Sequence, residues 1–239
     1  MARPMLMLDL VLRCRRRADM EGDDVVGPTE WKALISEMYA QLYAIVVSAG
    51  MRYFESTQTV TANGAASYAL PADHDETIGI DRVVDPNNGF KMPLGELMVQ
   101  ERTRMSGTIG DATAYAIVGQ TIVLSPTPAS GTYLHTYVPQ SPDISTLADS
   151  TTVDLVTGDG EAFLIWGVAV KTIPKRNGDP QLAIVERDAA EKRFTKDVQR
   201  RALANPRRRV AVAPPLGAGV DGYDWEYNDP GAWHWRYGR

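Results

Sequence analysis

The stretch "TEWKALISEMYAQLYAIVVSAG" restricts the fold more than any other part of the chain. Trp31, Leu34, Ile35, Met38, Tyr39, Leu42, Ile45 and Val46 recur at three- and four-residue steps, so a helix over about 28–49 puts them on one broad apolar face. Pro28 suits the first turn of such a helix and Gly50 suits its end. A face this apolar has to be covered by other elements, which makes the segment a core helix.

Three further segments supply partners. Residues 4–20 read as a helix with Pro4 in its first turn and Arg13 to Arg17 toward its carboxyl end, where the helix dipole favours positive charge. The run "DGEAFLIWGVAVKTI", about 159–174, buries Phe163, Trp166, Val170 and Ile173 as a helix. A last helix over about 180–204 opens with Asp179 as N-cap and Pro180 at its first position. Its expected apolar stripe is Leu182, Val185, Ala189, Ala190, Phe194, Val198 and Ala202, opposite a charged face.

Between the second and third helices the period changes. "ESTQTVTANGAASYALPAD" alternates on either side of Asn63-Gly64, the strongest short hairpin signal, and so reads as two strands ending at Leu70-Pro71. A further strand covers Ile78 to Val84 and turns at "DPNNG", and residues 94–105 read as a short helix burying Leu94, Leu97, Met98 and Met105. "AYAIVGQTIVLSPTPASGTYLHTYV" then gives an antiparallel meander, with Pro126 and Pro128 at strand ends. The expected class is α+β: a bundle of about four helices with a β-rich insertion over about 54–140. Residues 1–209 form one domain on this reading, and 210–239 an extended arm.

Charge is unevenly spread. Residues 1–174 carry 12 basic against 21 acidic side chains, whereas residues 175–209 carry 11 against 5. The basic excess falls within the last helix and its exit, which favours a solvated or inter-subunit face over a nucleic-acid site. The single cysteine, Cys14, excludes an intramolecular disulfide framework and reads as a buried thiol rather than a nucleophile. No apolar run approaches the roughly 20 residues that span a bilayer, and Asp9 interrupts the amino-terminal run where a signal peptide would not be interrupted, so a soluble, non-secreted chain is expected.

Motifs for chemistry are scarce. The best catalytic candidate is "DHDE", Asp73 to Glu76, where a histidine flanked by carboxylates has the donor types of a metal site. Successive residues on an extended chain point to opposite faces, however, so the group cannot converge on one ion without help from elsewhere. A polar loop after a strand is the plainer reading. No catalytic residue, metal or cofactor is expected.

The order of features is more specific than any one of them. "SYALPAD", "YAIVGQTIVLSPTPASGTYLHTYV", "GEAFLIWGVAVK" and "NGDPQLA" follow one another before a charged last helix. In this the chain resembles the head-tail adaptor, or connector, proteins of tailed double-stranded-DNA bacteriophages. The matching positions are Tyr68, Leu70, Pro71, Asp73, Gly119, Ile122, Leu124, Pro126, Pro128, Gly178 and Asp179. The resemblance implies a homo-oligomeric ring, typically of twelve copies, docked under the portal protein. Such a ring extends the channel for the genomic DNA, without sequence-specific binding, and offers an attachment surface to tail proteins such as the nozzle or tail tube. It further implies a virion protein of the neck, made in the host cytoplasm, with no membrane partner. Two other readings stand beside it: a tail-associated metal-dependent hydrolase of cell wall or glycan using His74, Asp75 and Glu76, and another tail component such as a terminator or nozzle subunit.

The carboxyl-terminal "GYDWEYNDPGAWHWRYGR" holds three of the five tryptophans and follows a proline- and glycine-rich linker. It reads either as a strand or turn folding back on the domain or as an arm, about 60 Å long if fully extended. On the arm reading Tyr223, Trp225, Tyr227, Trp233, Trp235 and Tyr237 are the anchors that plug into the portal or a neighbouring protomer.

Overall fold

The computed structural model describes residues 4–22, 24–97 and 109–204. These contain four α-helices and mainly antiparallel strands, an α+β fold. The chain divides into two compact units. The first contains the described residues up to Thr59, Pro71–Gly79 and those from Leu134 on, and the second contains Val60–Leu70 and Ile80–Tyr133.

The first unit holds the helices. It opens on a strand rather than a helix: β1 (Pro4–Leu6) pairs antiparallel with β10 (Thr152–Asp154), Met5 opposite Val153. Helix α1 (Met7–Arg17) starts only after that strand. The N–H groups of Met7 and Leu8 donate to the carbonyls of Thr151 and Asp149 at 2.9 and 3.1 Å, so the loop before β10 satisfies amides that a helix start leaves without partners. Periodicity within residues 4–20 carries no sign of a strand partner nearly 150 residues away.

Helix α2 (Pro28–Ser48) buries Trp31, Ile35, Leu42 and Val46 completely, as its spacing requires. Helix α3 (Gly158–Thr172) is capped by Thr157, whose Oγ1 accepts from Gly160 N–H at 3.1 Å, with Asp159 and Glu161 in the first turn. A short 3₁₀ turn, Ile173–Arg176, ends at Asn177 with φ +57°, and Asp179 Oδ1 then accepts from Gln181 N–H at 3.0 Å to start α4 (Gln181–Ala204). Helix α3 packs against α1, α2 and α4 around a core containing Phe163, Leu164, Val168, Phe194 and Val198.

One part of the α4 stripe departs from expectation. Ala183, Ala190, Phe194, Val198 and Ala202 are buried, but Leu182 and Val185 point outward. The buried row begins with alanines, whose small side chains let the helix approach its neighbours, and a row through 183 and 190 turns positions 182 and 185 away.

Strands β2 (Ser56–Ala62), β9 (Gly131–Pro139), β4 (His74–Asp85) and β5 (Phe90–Pro93) form a sheet in that order, and the division between the units cuts β2, β4 and β9. In the second unit, a four-stranded sheet runs β3 (Ser67–Ala69), β8 (Thr121–Ser125), β7 (Ala114–Val118), β6 (Gly95–Glu96). Gly119, at φ +59°, makes the β7–β8 turn, and Tyr68 stands opposite Ile122. A small core of Tyr115, Ile122, Leu124 and Tyr133 lies in the same unit. At the β4–β5 hairpin, Asp85 Oδ1 accepts from the N–H groups of Asn87 and Asn88 at 2.8 and 3.3 Å.

Three strand readings are corrected. Asn63-Gly64 does not close a hairpin: β2 pairs in the sheet of β9, β3 in that of β8, and Gly64 N–H donates to Pro128 O at 3.1 Å. The meander stops at β8, because β9 buries Tyr133, His135 and Tyr137 as a central strand between β2 and β4. The expected helix at 94–105 is extended over its first residues, with Gly95–Glu96 parallel to β7. Its remainder lies outside the described residues.

Candidate interaction surfaces

The sequence singled out Asp73 to Glu76. Asp73 precedes β4, alternation along the strand sets Asp75 on the face opposite His74 and Glu76, and the partners of Asp73 and His74 are internal. His74 Nε2 lies 2.9 Å from Thr77 Oγ1, and the same hydroxyl lies 3.1 Å from His135 Nε2. The hydroxyl can donate to one imidazole while accepting an N–H from the other. His135 Nδ1 reaches Gln58 Oε1 at 3.4 Å, and the Tyr137 ring stacks on His135 at 5.2 Å while its hydroxyl donates to Asp73 Oδ1 at 3.1 Å. His135 is fully buried, and burial, aided by His74, pushes its pKa down to about 4.

This is a network that holds strands together. Among the described residues no three histidine, cysteine or acidic side chains stand close enough to hold a metal ion, so His74, Asp75 and Glu76 are not assembled as ligands. The partnership of His74 with His135 is invisible in sequence, because the 60 residues between them bear no trace of the pairing. Cys14 is buried among core residues, and burial raises its thiol well above the usual range.

The helical unit presents a different kind of surface. Leu182 and Val185 are 69% and 62% exposed on α4, three residues apart and therefore on one helical face. Leu8 and Leu12 form a second exposed pair on α1, four residues apart. Arginines of α1 anchor that helix inward as well: Arg13 pairs with the buried Glu161 of α3, and the Arg17 guanidinium lies 4.4 Å from the Trp166 ring centre. Lys171 and Lys175 tie the end of α3 and the turn after it to Glu37 and Glu30 of α2. No helix among the described residues is long and apolar enough to cross a membrane.

The helical unit thus carries apolar pairs on its outer surface, the kind of surface through which proteins join one another. Comparison with known families agrees. The model of the SU10 adaptor proteins matches residues 5–216. The chain belongs to the SU10 adaptor protein family. It is thus a phage adaptor protein, a virion component that interacts with other virion proteins. No curated protein matches it. The match covers all four helices and both four-stranded sheets of this SU10 adaptor, so the fold described above is the family's own region. The six aromatic residues from Tyr223 to Tyr237 lie beyond the match and outside the described residues.

Proposed function

We propose that this SU10 adaptor is the head-tail connector of its virion. Copies assemble into a homo-oligomeric ring, typically of twelve, that docks beneath the portal protein, extends the DNA channel and gives the tail its attachment surface. The role is structural and without catalysis, and genomic DNA passes through with no sequence-specific contact. The match of an adaptor family across residues 5–216 carries this reading. The packed helices supply a framework, and the exposed pairs on α1 and α4 supply surface for neighbours.

Residues 1–209 act as the adaptor domain on this reading, and 210–239 as an arm whose Tyr223, Trp225, Tyr227, Trp233, Trp235 and Tyr237 anchor it to the portal or a neighbouring protomer. Large aromatic side chains are the usual anchors of interfaces, and a linker that orders on docking keeps them out of the domain core. Deleting residues 213–239 tests this. The truncated chain is expected to unfold at the same temperature as the full chain and to lose assembly with a purified portal ring in co-sedimentation. Normal assembly of the truncation would remove the arm from the account.

A further inference from the structure

Two pairs of exposed apolar side chains lie on different helices of the first unit, bordered by opposite charge. On α1, Leu8 and Leu12 are 46% and 42% exposed and stand one above the other. The turns around them are basic, since Arg13, Arg15, Arg16 and Arg17 outnumber Asp9. On α4, Leu182 and Val185 sit where Asp179, Glu186, Asp188 and Glu191 outnumber Arg187. Past Glu191 the same helix becomes basic, with Lys192, Arg193, Lys196, Arg200 and Arg201 against Asp197. A lone exposed leucine is ordinary on a protein surface. Adjacent pairs on two helices, each framed by one sign of charge, are complementary.

We propose that these are the two halves of one contact between copies: α1 of one chain lies against the amino-terminal half of α4 of the next, Leu8 and Leu12 meeting Leu182 and Val185. The proposal rests on the adaptor-ring reading above and gives that ring its contact. The two faces are unlike, so the contact is heterologous. Each copy spends one face on each neighbour, which builds a ring when the rotation closes. Charge sets the register, because α1 against another α1, or against the basic half of α4, would bring like charges together. Not every arginine is available for this. Arg13 is committed to Glu161, Arg15 lies half-buried over Trp31 and Arg17 over Trp166, so Arg16, paired with Glu21 yet 70% exposed, is the arginine of α1 best placed to meet a neighbour.

Full-length Leu8→Cys and Leu182→Cys chains, mixed in equal amounts and mildly oxidised, test the contact, and the buried Cys14 does not compete. The mixed disulfide is expected to exceed by several-fold that from Leu8→Cys with Leu203→Cys, since Leu203 is exposed in the basic half of α4. Equal yields, or a dominant Leu8–Leu8 crosslink, would overturn the proposal. As a second arm, Leu8→Glu and Leu182→Glu each leave one face intact. Each alone should lose ring formation, with or without a portal ring, while their mixture should give a dimer that grows no further. Unchanged assembly of either variant would overturn the proposal too. Wild-type binding to a portal ring is scored separately. A chain that binds no portal yet gives the preferred crosslink contradicts the connector reading alone. One that binds portal without the preference contradicts this contact alone.

Discussion

Gly160 of α3 meets the ring of Phe194 on α4 with no space for a side chain: a Cβ on Gly160 would stand 3.0 Å from Phe194 Cε2. The same Cβ would press on the carbonyl oxygen of Leu155, a backbone atom that cannot rotate away. Gly160→Ala is therefore expected to cost about 1–3 kcal/mol of folding stability, as overpacking of a filled core does. Urea unfolding checks it: the midpoint should fall with the slope unchanged.

Gly167, seven residues on, touches a different kind of neighbour. A Cβ there would run into the thioether of Met38, with Sδ at 2.8 Å, and Met38 is the flexible end of a side chain. Alanine also gains about 1 kcal/mol of helix propensity over glycine. Gly167→Ala should thus stay within about 1 kcal/mol of the parent. A loss as large as that of Gly160→Ala would show that Met38 cannot move.

Acid should weaken the fold through His135. In the unfolded chain an imidazole titrates near its ordinary 6.5, whereas in the folded chain burial holds His135 at about 4. Between those values the unfolded state takes up a proton that the folded state refuses, so stability falls as pH drops through the window and levels off below it. The contribution is on the order of 1–3 kcal/mol. His135→Gln removes this part of the slope, and urea midpoints of both chains across that window measure the difference.

Cys14 offers a reporter of opening. Its thiol is buried in the α1 core and kept protonated by that burial, so a thiol reagent at neutral pH should label the folded chain at least about a hundredfold more slowly than the urea-unfolded one. Rapid labelling of native protein would mean that α1 detaches easily from α2 and α3.

The parts of the fold that could be read from sequence are those governed by near neighbours. The spacing of Trp31, Ile35, Leu42 and Val46 specifies both α2 and its buried face, and Asp179 announces the start of α4 two residues before it begins. The misreadings share a cause. Met5 pairs with Val153, Tyr68 with Ile122, and His74 meets His135 through Thr77, and nothing local in the sequence encodes such partners. Asn63-Gly64 carries a true turn signal, yet where the chain goes after a turn depends on which sheet has an open place. By apolarity alone Leu182 and Val185 read as inward-facing. Ala183 and Ala190 took the core positions instead, and that exchange exposed the most informative surface pair on the helix.

The mass of the complex formed with a purified portal ring tests the central claim most directly. Native mass spectrometry of the full chain added to that ring should show a saturated species carrying a closed set of copies, typically twelve, with no stable intermediate persisting at excess. A portal ring that binds no copies under any concentration, while the chain remains folded, would contradict the account.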